Sequence, residues 1–179
     1  MPPTGIERWR PAWMFAGEAH RSQLVPGGAA NYLAHLGAVT MEILAAHLVE
    51  PLEDLDLAVQ CAILHDTIED QGITHAVLEG RFGTDVADGV QALSKDPDLS
   101  KAEGMRDSLA RIQSQPRSVW CVKLADRITN LHGVPAHWTP EKIAFYRDEA
   151  IAIHAALGSA HRHLASRLEA RIQRYPDSE

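Results

Sequence analysis

The decapeptide Cys61-Ala62-Ile63-Leu64-His65-Asp66-Thr67-Ile68-Glu69-Asp70 constrains this chain more than any other stretch, because an apolar run there meets four ionisable side chains within six residues. At 3.6 residues per turn, Glu69 projects between His65 and Asp66, and Asp70 falls just beyond Asp66. On a continuous helix the four share one arc of about 140°, while Cys61, Leu64 and Ile68 point the other way into a core. An imidazole, an adjacent carboxylate and two more carboxylates one turn on suit a divalent metal and a hydrolytic water. The alternative is a solvated helix C-terminus. Negative charge in that position opposes the helix macrodipole, which makes it a poor choice for stability alone.

Around this stretch the chain reads as helices punctuated by glycine and proline. Met1 to Glu7 carries two prolines and a glycine, so residues 1–8 are expected to form a loose arm. Trp9 to His20 reads as a first helix, and the loop after it contains Pro26-Gly27-Gly28. From Tyr32 to Val49, Leu33, Leu36, Val39, Ile43, Leu44 and Leu48 recur at helical spacing, with His35 near the start. A third helix is expected from Pro51 and Asp54 through the decapeptide to a stop at Gly72. Ile73 to Phe82, the segment capped by Gly83-Thr84-Asp85, Lys101 to Gln113, and Val119 to Leu131 follow as helices, with a turn at Lys95-Asp96-Pro97-Asp98. Glu141 to Leu157 and Ser159 to Arg174 close the chain. No alternating strand pattern and no repeat interrupts this series. The expectation is an all-α bundle of roughly eight or nine helices, with residues 9–175 as a single domain.

With 179 residues the chain can bury a sizeable core without staples. Its formal charge of −7 argues against a nucleic acid or an anionic membrane as the main partner. An anionic small molecule remains compatible, provided a metal and a few basic groups reverse the field locally. Cys61 and Cys121 both sit in apolar helical patterns and read as buried thiols rather than a disulfide framework, which suits a reducing cytoplasm. There is no signal-like N-terminus and no apolar run of spanning length.

His65 and Asp66 alone would leave a metal underliganded, and the best further candidates are His35 and Asp126. A lone histidine at position 35 is more often a packing or solvent-facing residue. Asp126 says more, because it follows the apolar run Val119 to Ala125, where an unpaired charge costs several kcal/mol. A salt bridge from Asp126 to Lys123 or Arg127 is the structural alternative.

Tyr32-Leu33-Ala34-His35, Ile63-Leu64-His65-Asp66-Thr67-Ile68-Glu69-Asp70, the Phe82-Gly83 turn, and Val122-Lys123-Leu124-Ala125-Asp126-Arg127 with Asn130-Leu131 together resemble the HD-domain metal-dependent phosphohydrolases. Within them the chain is similar to the hydrolase domain of the RelA/SpoT proteins and the small stand-alone alarmone hydrolases, from about Phe15 to about Ala150. The resemblance implies an HD-type helical bundle. It also implies one divalent metal, Mn2+, held by His35, His65, Asp66 and Asp126, with Glu69 and Asp70 as the catalytic acidic pair. Arg21, Tyr32, Lys123, Arg127, Asn130 and Tyr146 are the implied substrate contacts. The implied reaction is hydrolysis of the 3′-diphosphate of ppGpp or pppGpp to GDP or GTP and pyrophosphate. In the family a basic run precedes a Pro-Tyr-Ile-x-His-Pro element. Here Ser22-Gln23-Leu24-Val25-Pro26-Gly27-Gly28 follows a single Arg21, and Asn31 and Leu36 replace the two prolines. Another nucleotide or phosphate ester is therefore the alternative substrate. Neither a nucleic acid nor a membrane is an expected partner, and the oligomeric state stays open. The remaining histidines, His20 among them, are expected at the surface or in packing.

Overall fold

The structure is a computed structural model and describes residues 5–176. The described residues form ten α-helices and one short 3-10 turn. In chain order they are α1 (Gly5–Ala19), α2 (Leu33–Val49), α3 (Leu55–Leu64), α4 (Thr67–Gln71), α5 (His75–Phe82), α6 (Thr84–Leu93), α7 (Lys101–Gln113), α8 (Arg117–Asn130), α9 (Pro140–Leu157), the 3-10 turn Gly158–Ala160, and α10 (Arg162–Arg174). The fold is all-α, as the periodicity predicts.

Three helices form the middle of the molecule. Every residue of α3 from Leu57 to Leu64 is buried, and so is α8 from Ser118 to Ile128 apart from Trp120. Helix α2 lays Leu36, Val39 and Ile43 against them. Apolar side chains on all sides explain why these segments read as nearly continuous hydrophobic runs rather than stripes. Helix α10 is different: Leu164, Leu168 and Ile172 recur every four residues and face inward, and the rest of the helix is polar apart from Ala165 and Ala170. It covers α8 and α9 with that stripe. Replacing the fully buried Leu168 by alanine is expected to cost about 2–5 kcal/mol, from lost transfer energy and the cavity left behind. Urea denaturation checks this. A loss well under 1 kcal/mol would show that α10 is not part of the cooperative unit.

The helix expected from Asp54 to Gly72 is broken in two, which corrects the single arc drawn for the decapeptide. Asp54 caps α3 by accepting from Leu57 N, and Gly72 ends α4 with φ +63°, a left-handed value that glycine adopts at no steric cost. The interruption lies at His65 and Asp66. His65 Nδ1 donates to Ala62 O at 2.9 Å, and Thr67 Oγ1 donates to Leu64 O at 2.6 Å. These side chains satisfy carbonyls at the end of α3 in place of backbone amides, and the chain turns.

The amino-terminal boundary also shifts. Gly5 to Arg8 are helical rather than part of an arm, and residues 1–4 lie outside the described residues. Arg8 pairs with Asp56 and Trp9 Nε1 donates to Asp56 Oδ1 at 3.0 Å, so contacts to α3 hold the first turn of α1. Cys61 and Cys121 are buried and unpaired. No described helix is long and apolar enough to cross a membrane.

Candidate metal centre

The three central helices deliver their polar residues to one end of the bundle. His35 comes from the first turn of α2, His65 from the residue after α3, and Asp126 from the last turn and a half of α8. One ligand atom from each lies within 4.8 Å of the others. His35 Nε2 and His65 Nε2 are 3.4 Å apart, and Asp126 Oδ1 sits 3.4 Å from the first and 3.7 Å from the second. Asp66 Oδ2 approaches the same two nitrogens at 3.7 and 2.9 Å. All four residues named from the sequence therefore meet here, with His35, His65 and Asp126 buried.

The donor set fits a divalent cation. A carbonyl oxygen only accepts, so the 2.9 Å contact to Ala62 O fixes a ring proton of His65 on Nδ1 and leaves Nε2, the atom available for a metal, facing His35, Asp66 and Asp126. Such a fixed tautomer is how ligating histidines are usually held. Asp126 is oriented too: Asn130 Nδ2 donates to Oδ1 at 2.6 Å, and Lys123 Nζ lies 3.2 Å from Oδ2. Tyr32 donates from its hydroxyl to Asp66 Oδ2 at 2.6 Å. Burial and the neighbouring Asp66 carboxylate keep that phenol protonated far above its ordinary range. Two imidazole nitrogens and two carboxylates form a mixed set that suits first-row divalent metals.

The charges of the site predict its pH dependence. Burial disfavours a charged His65 ring, yet the carboxylates of Asp66 and Asp126 outweigh it and raise its pKa well above the ordinary 6.5. Without a metal, His65 therefore stabilises the fold fully below the unfolded-state pKa, and that contribution is lost as pH rises through the folded-state value. Ligation requires the proton to leave. Apparent affinity for a divalent metal is accordingly expected to rise with pH by up to about tenfold per unit, until His65 is deprotonated. Calorimetric titrations in buffers of different ionisation enthalpy check this through the released proton. Affinity that is flat between about pH 6 and about pH 8 would exclude His65 from the proton-coupled set.

Around the ligands, the residues named for catalysis and substrate take separate places. Glu69 and Asp70 lie on the exposed side of α4. Glu69 Oε2 accepts from Lys95 N at 2.8 Å, and Asp70 Oδ2 accepts from Gln23 Nε2 at 2.7 Å. Burial raises the Asp70 carboxyl above its ordinary value, against the lowering effect of the Gln23 amide. Arg127 is almost fully buried, with its guanidinium 4.0 Å from the centre of the Tyr146 ring and one nitrogen 3.3 Å from Glu149. Arg21 stands apart: it pairs with Glu18 at 3.1 Å, and both side chains are about three-quarters exposed.

Lys95 and Glu149 escape the sequence reading. Lys95 Nζ lies 3.8 Å from Glu149 Oε1, which joins Lys95 to the Arg127 pair and sets three cations, Lys95, Lys123 and Arg127, along one wall. Burial and the like charge of Lys123 lower the Lys95 pKa. In the sequence Lys95 is the first residue of a Lys-Asp-Pro-Asp turn, and no local signal separates it from an ordinary loop lysine.

Comparison with known proteins gives the family and the fold. A family model described as "HD domain" matches residues 12–163, most of the chain. The chain belongs to the HD domain family. Among proteins similar to this HD domain is a zebrafish one named guanosine-3′,5′-bis(diphosphate) 3′-pyrophosphohydrolase MESH1, 29% identical over 170 residues, covering 87% of each chain. A Vibrio cholerae protein named guanosine-3′,5′-bis(diphosphate) 3′-pyrophosphohydrolase is 35% identical over 164 residues, which are 88% of this chain and 22% of that one. A solved structure described as a metazoan ortholog of SpoT that hydrolyzes ppGpp superposes with a TM-score of 0.81 at 24% identity, over 98% of both chains. That likeness establishes the shared fold.

Proposed function

We propose that this HD domain hydrolyses the 3′-diphosphate of guanosine tetra- or pentaphosphate, giving GDP or GTP and pyrophosphate, with one Mn2+ held by His35, His65, Asp66 and Asp126. The observation that carries the reading is the convergence of four candidate ligand side chains, with the Glu69 and Asp70 carboxylates and the cations Lys95, Lys123 and Arg127 around them. The names of the similar proteins support the substrate. Residues 9–175 are proposed as one such domain working in the cytoplasm.

A bound divalent cation supplies water acidification and neutralisation of phosphate charge. The residues of the chain do the rest. Asp70 and Glu69 are the proposed acceptors for the proton that water loses as its oxygen adds to the phosphorus next to the ribose 3′-oxygen. The bond from that phosphorus to the 3′-oxygen breaks, the 3′-oxygen gains a proton, and pyrophosphate departs. Lys123 and Asn130 hold Asp126 in its ligating orientation. Lys95, Lys123 and Arg127 supply the positive field for the diphosphates, in a chain whose formal charge is −7. Tyr146 offers an aromatic wall held by Arg127, and Tyr32 fixes Asp66 from its buried position.

One observation favours a second reading. The only basic residue of the loop after α1 that matches the family pattern, Arg21, pairs with Glu18 at the surface and leaves the three wall cations to receive two diphosphates. A nucleotide or phosphate ester with fewer phosphates is served as well by such a wall. Direct measurement of pyrophosphate release from ppGpp by the Mn2+-loaded protein separates the two. Stoichiometric GDP and pyrophosphate are expected, whereas intact ppGpp beside a demonstrably bound metal would favour the second reading.

A further inference from the structure

We infer that Gln23 is a positioning residue for the reaction, holding the Asp70 carboxylate from a loop 47 positions away in sequence so that one of its oxygens stays free to take a proton. The inference rests on the proposed role of Asp70 as proton acceptor. Asp70 sits on a helix of only five residues and on its exposed side, where nothing in α4 itself restricts its rotamer. Gln23 supplies the restriction. Its Nε2 donates to Asp70 Oδ2 at 2.7 Å, while its Oε1 accepts from His20 Nδ1, 2.6 Å away, and from Gln71 Nε2.

The sense of every bond in this chain is forced. A carboxylate only accepts, so the nitrogen end of the Gln23 amide must face Asp70 and the oxygen end must face His20. His20 Nδ1 therefore carries the proton. His20 is fully buried and stacks on Tyr32, with ring centroids 5.1 Å apart and 26° between planes. The Gln23 backbone is held on both sides as well, because its carbonyl accepts from Tyr32 N at 2.9 Å and its amide donates to His20 O at 3.0 Å. Tyr32 in turn donates to the ligand Asp66. One loop residue thus ties Asp70 to Tyr32, which holds the candidate ligand Asp66. The loop is short of basic residues and still has a part in the site.

Gln23→Glu tests the inference, since it keeps the oxygen to which His20 and Gln71 donate and replaces only the donor facing Asp70. With the intact Mn2+-loaded protein and ppGpp, kcat is expected to fall at least about 30-fold while KM stays within about threefold, the pattern of lost orientation rather than lost binding. Mn2+ affinity measured by calorimetry is expected to stay within about threefold. In metal-free wild type, the Gln23 side-chain amide protons are expected to exchange slowly in NMR spectra and to lose that protection in Asp70→Ala. Wild-type kcat in Gln23→Glu overturns the inference, and so do freely exchanging Gln23 amide protons that Asp70→Ala leaves unaltered. If wild type leaves ppGpp intact, the substrate reading fails by itself, and the amide exchange decides whether Gln23 holds Asp70.

Discussion

Replacing Asp126 by alanine is expected to destabilise the metal-free protein by about 3–5 kcal/mol, because it leaves the buried Lys123 ammonium without its carboxylate. Lys123 stands on a wall already carrying Lys95 and Arg127, and among the described residues its ion pair is with Asp126 alone, 3.2 Å away. Mn2+ affinity is expected to fall by at least about 100-fold, the upper end of what loss of a supporting residue costs. Urea denaturation in the presence of a chelator reads the first effect and calorimetric titration reads the second. Asp126→Asn separates them: it keeps an oxygen for Asn130 and should recover part of the stability, yet it should not recover the affinity. Burial pushes the Asp126 carboxyl up, but Lys123 and the two imidazoles outweigh it and hold it well below the usual carboxylate range. Its contribution to stability is therefore present above the unfolded carboxylate pKa of about 3.9 and is lost as pH falls through the folded value. Unaltered metal affinity in Asp126→Ala would remove this residue from the ligand set.

What was legible in the sequence is what a single helix can express. Leu36, Val39 and Ile43 of α2 and the stripe of α10 are periodic, so their helices and inward faces follow from spacing. His65, Asp66 and Asp126 stood out for another reason: each lies at the end of an apolar run, where burial without a partner is costly, whereas His35, near the start of its helix, was marked by the family resemblance. The break between α3 and α4 was not legible. It depends on His65 and Thr67 competing with backbone amides for Ala62 and Leu64 carbonyls, a choice between two local hydrogen-bond schemes that periodicity does not register. Lys95, Glu149 and Gln23 were not legible either. Lys95 and Gln23 lie in loops, and Glu149 follows Arg147 and Asp148 in a run that reads as a solvated face. Tertiary packing alone brings them to the site, through contacts that span 47 residues for Gln23 and Asp70 and 22 for Arg127 and Glu149.

The double variant Glu69→Gln/Asp70→Asn is expected to lower kcat by at least about 1,000-fold while Mn2+ affinity stays within about threefold of wild type. The substitutions preserve shape and most hydrogen bonds, since an amide oxygen can still accept from Lys95 N and from Gln23 Nε2. What they remove is the capacity to take a proton, a role worth about 10²–10⁴ in rate when one group fills it. Of the single variants, Asp70→Asn is expected to cost more. Burial raises the Asp70 carboxyl above its ordinary value, which strengthens it as a base. Pyrophosphate release under single-turnover conditions reads the chemical step, and calorimetry on the same preparations reads the metal. Loss of both rate and metal would place the pair among the ligands rather than beside them. Turnover retained in the double variant would move the proton acceptor elsewhere in the pocket. Because neither residue is buried in the core, global unfolding offers no ready explanation for a loss of rate, so the result bears on the chemistry itself.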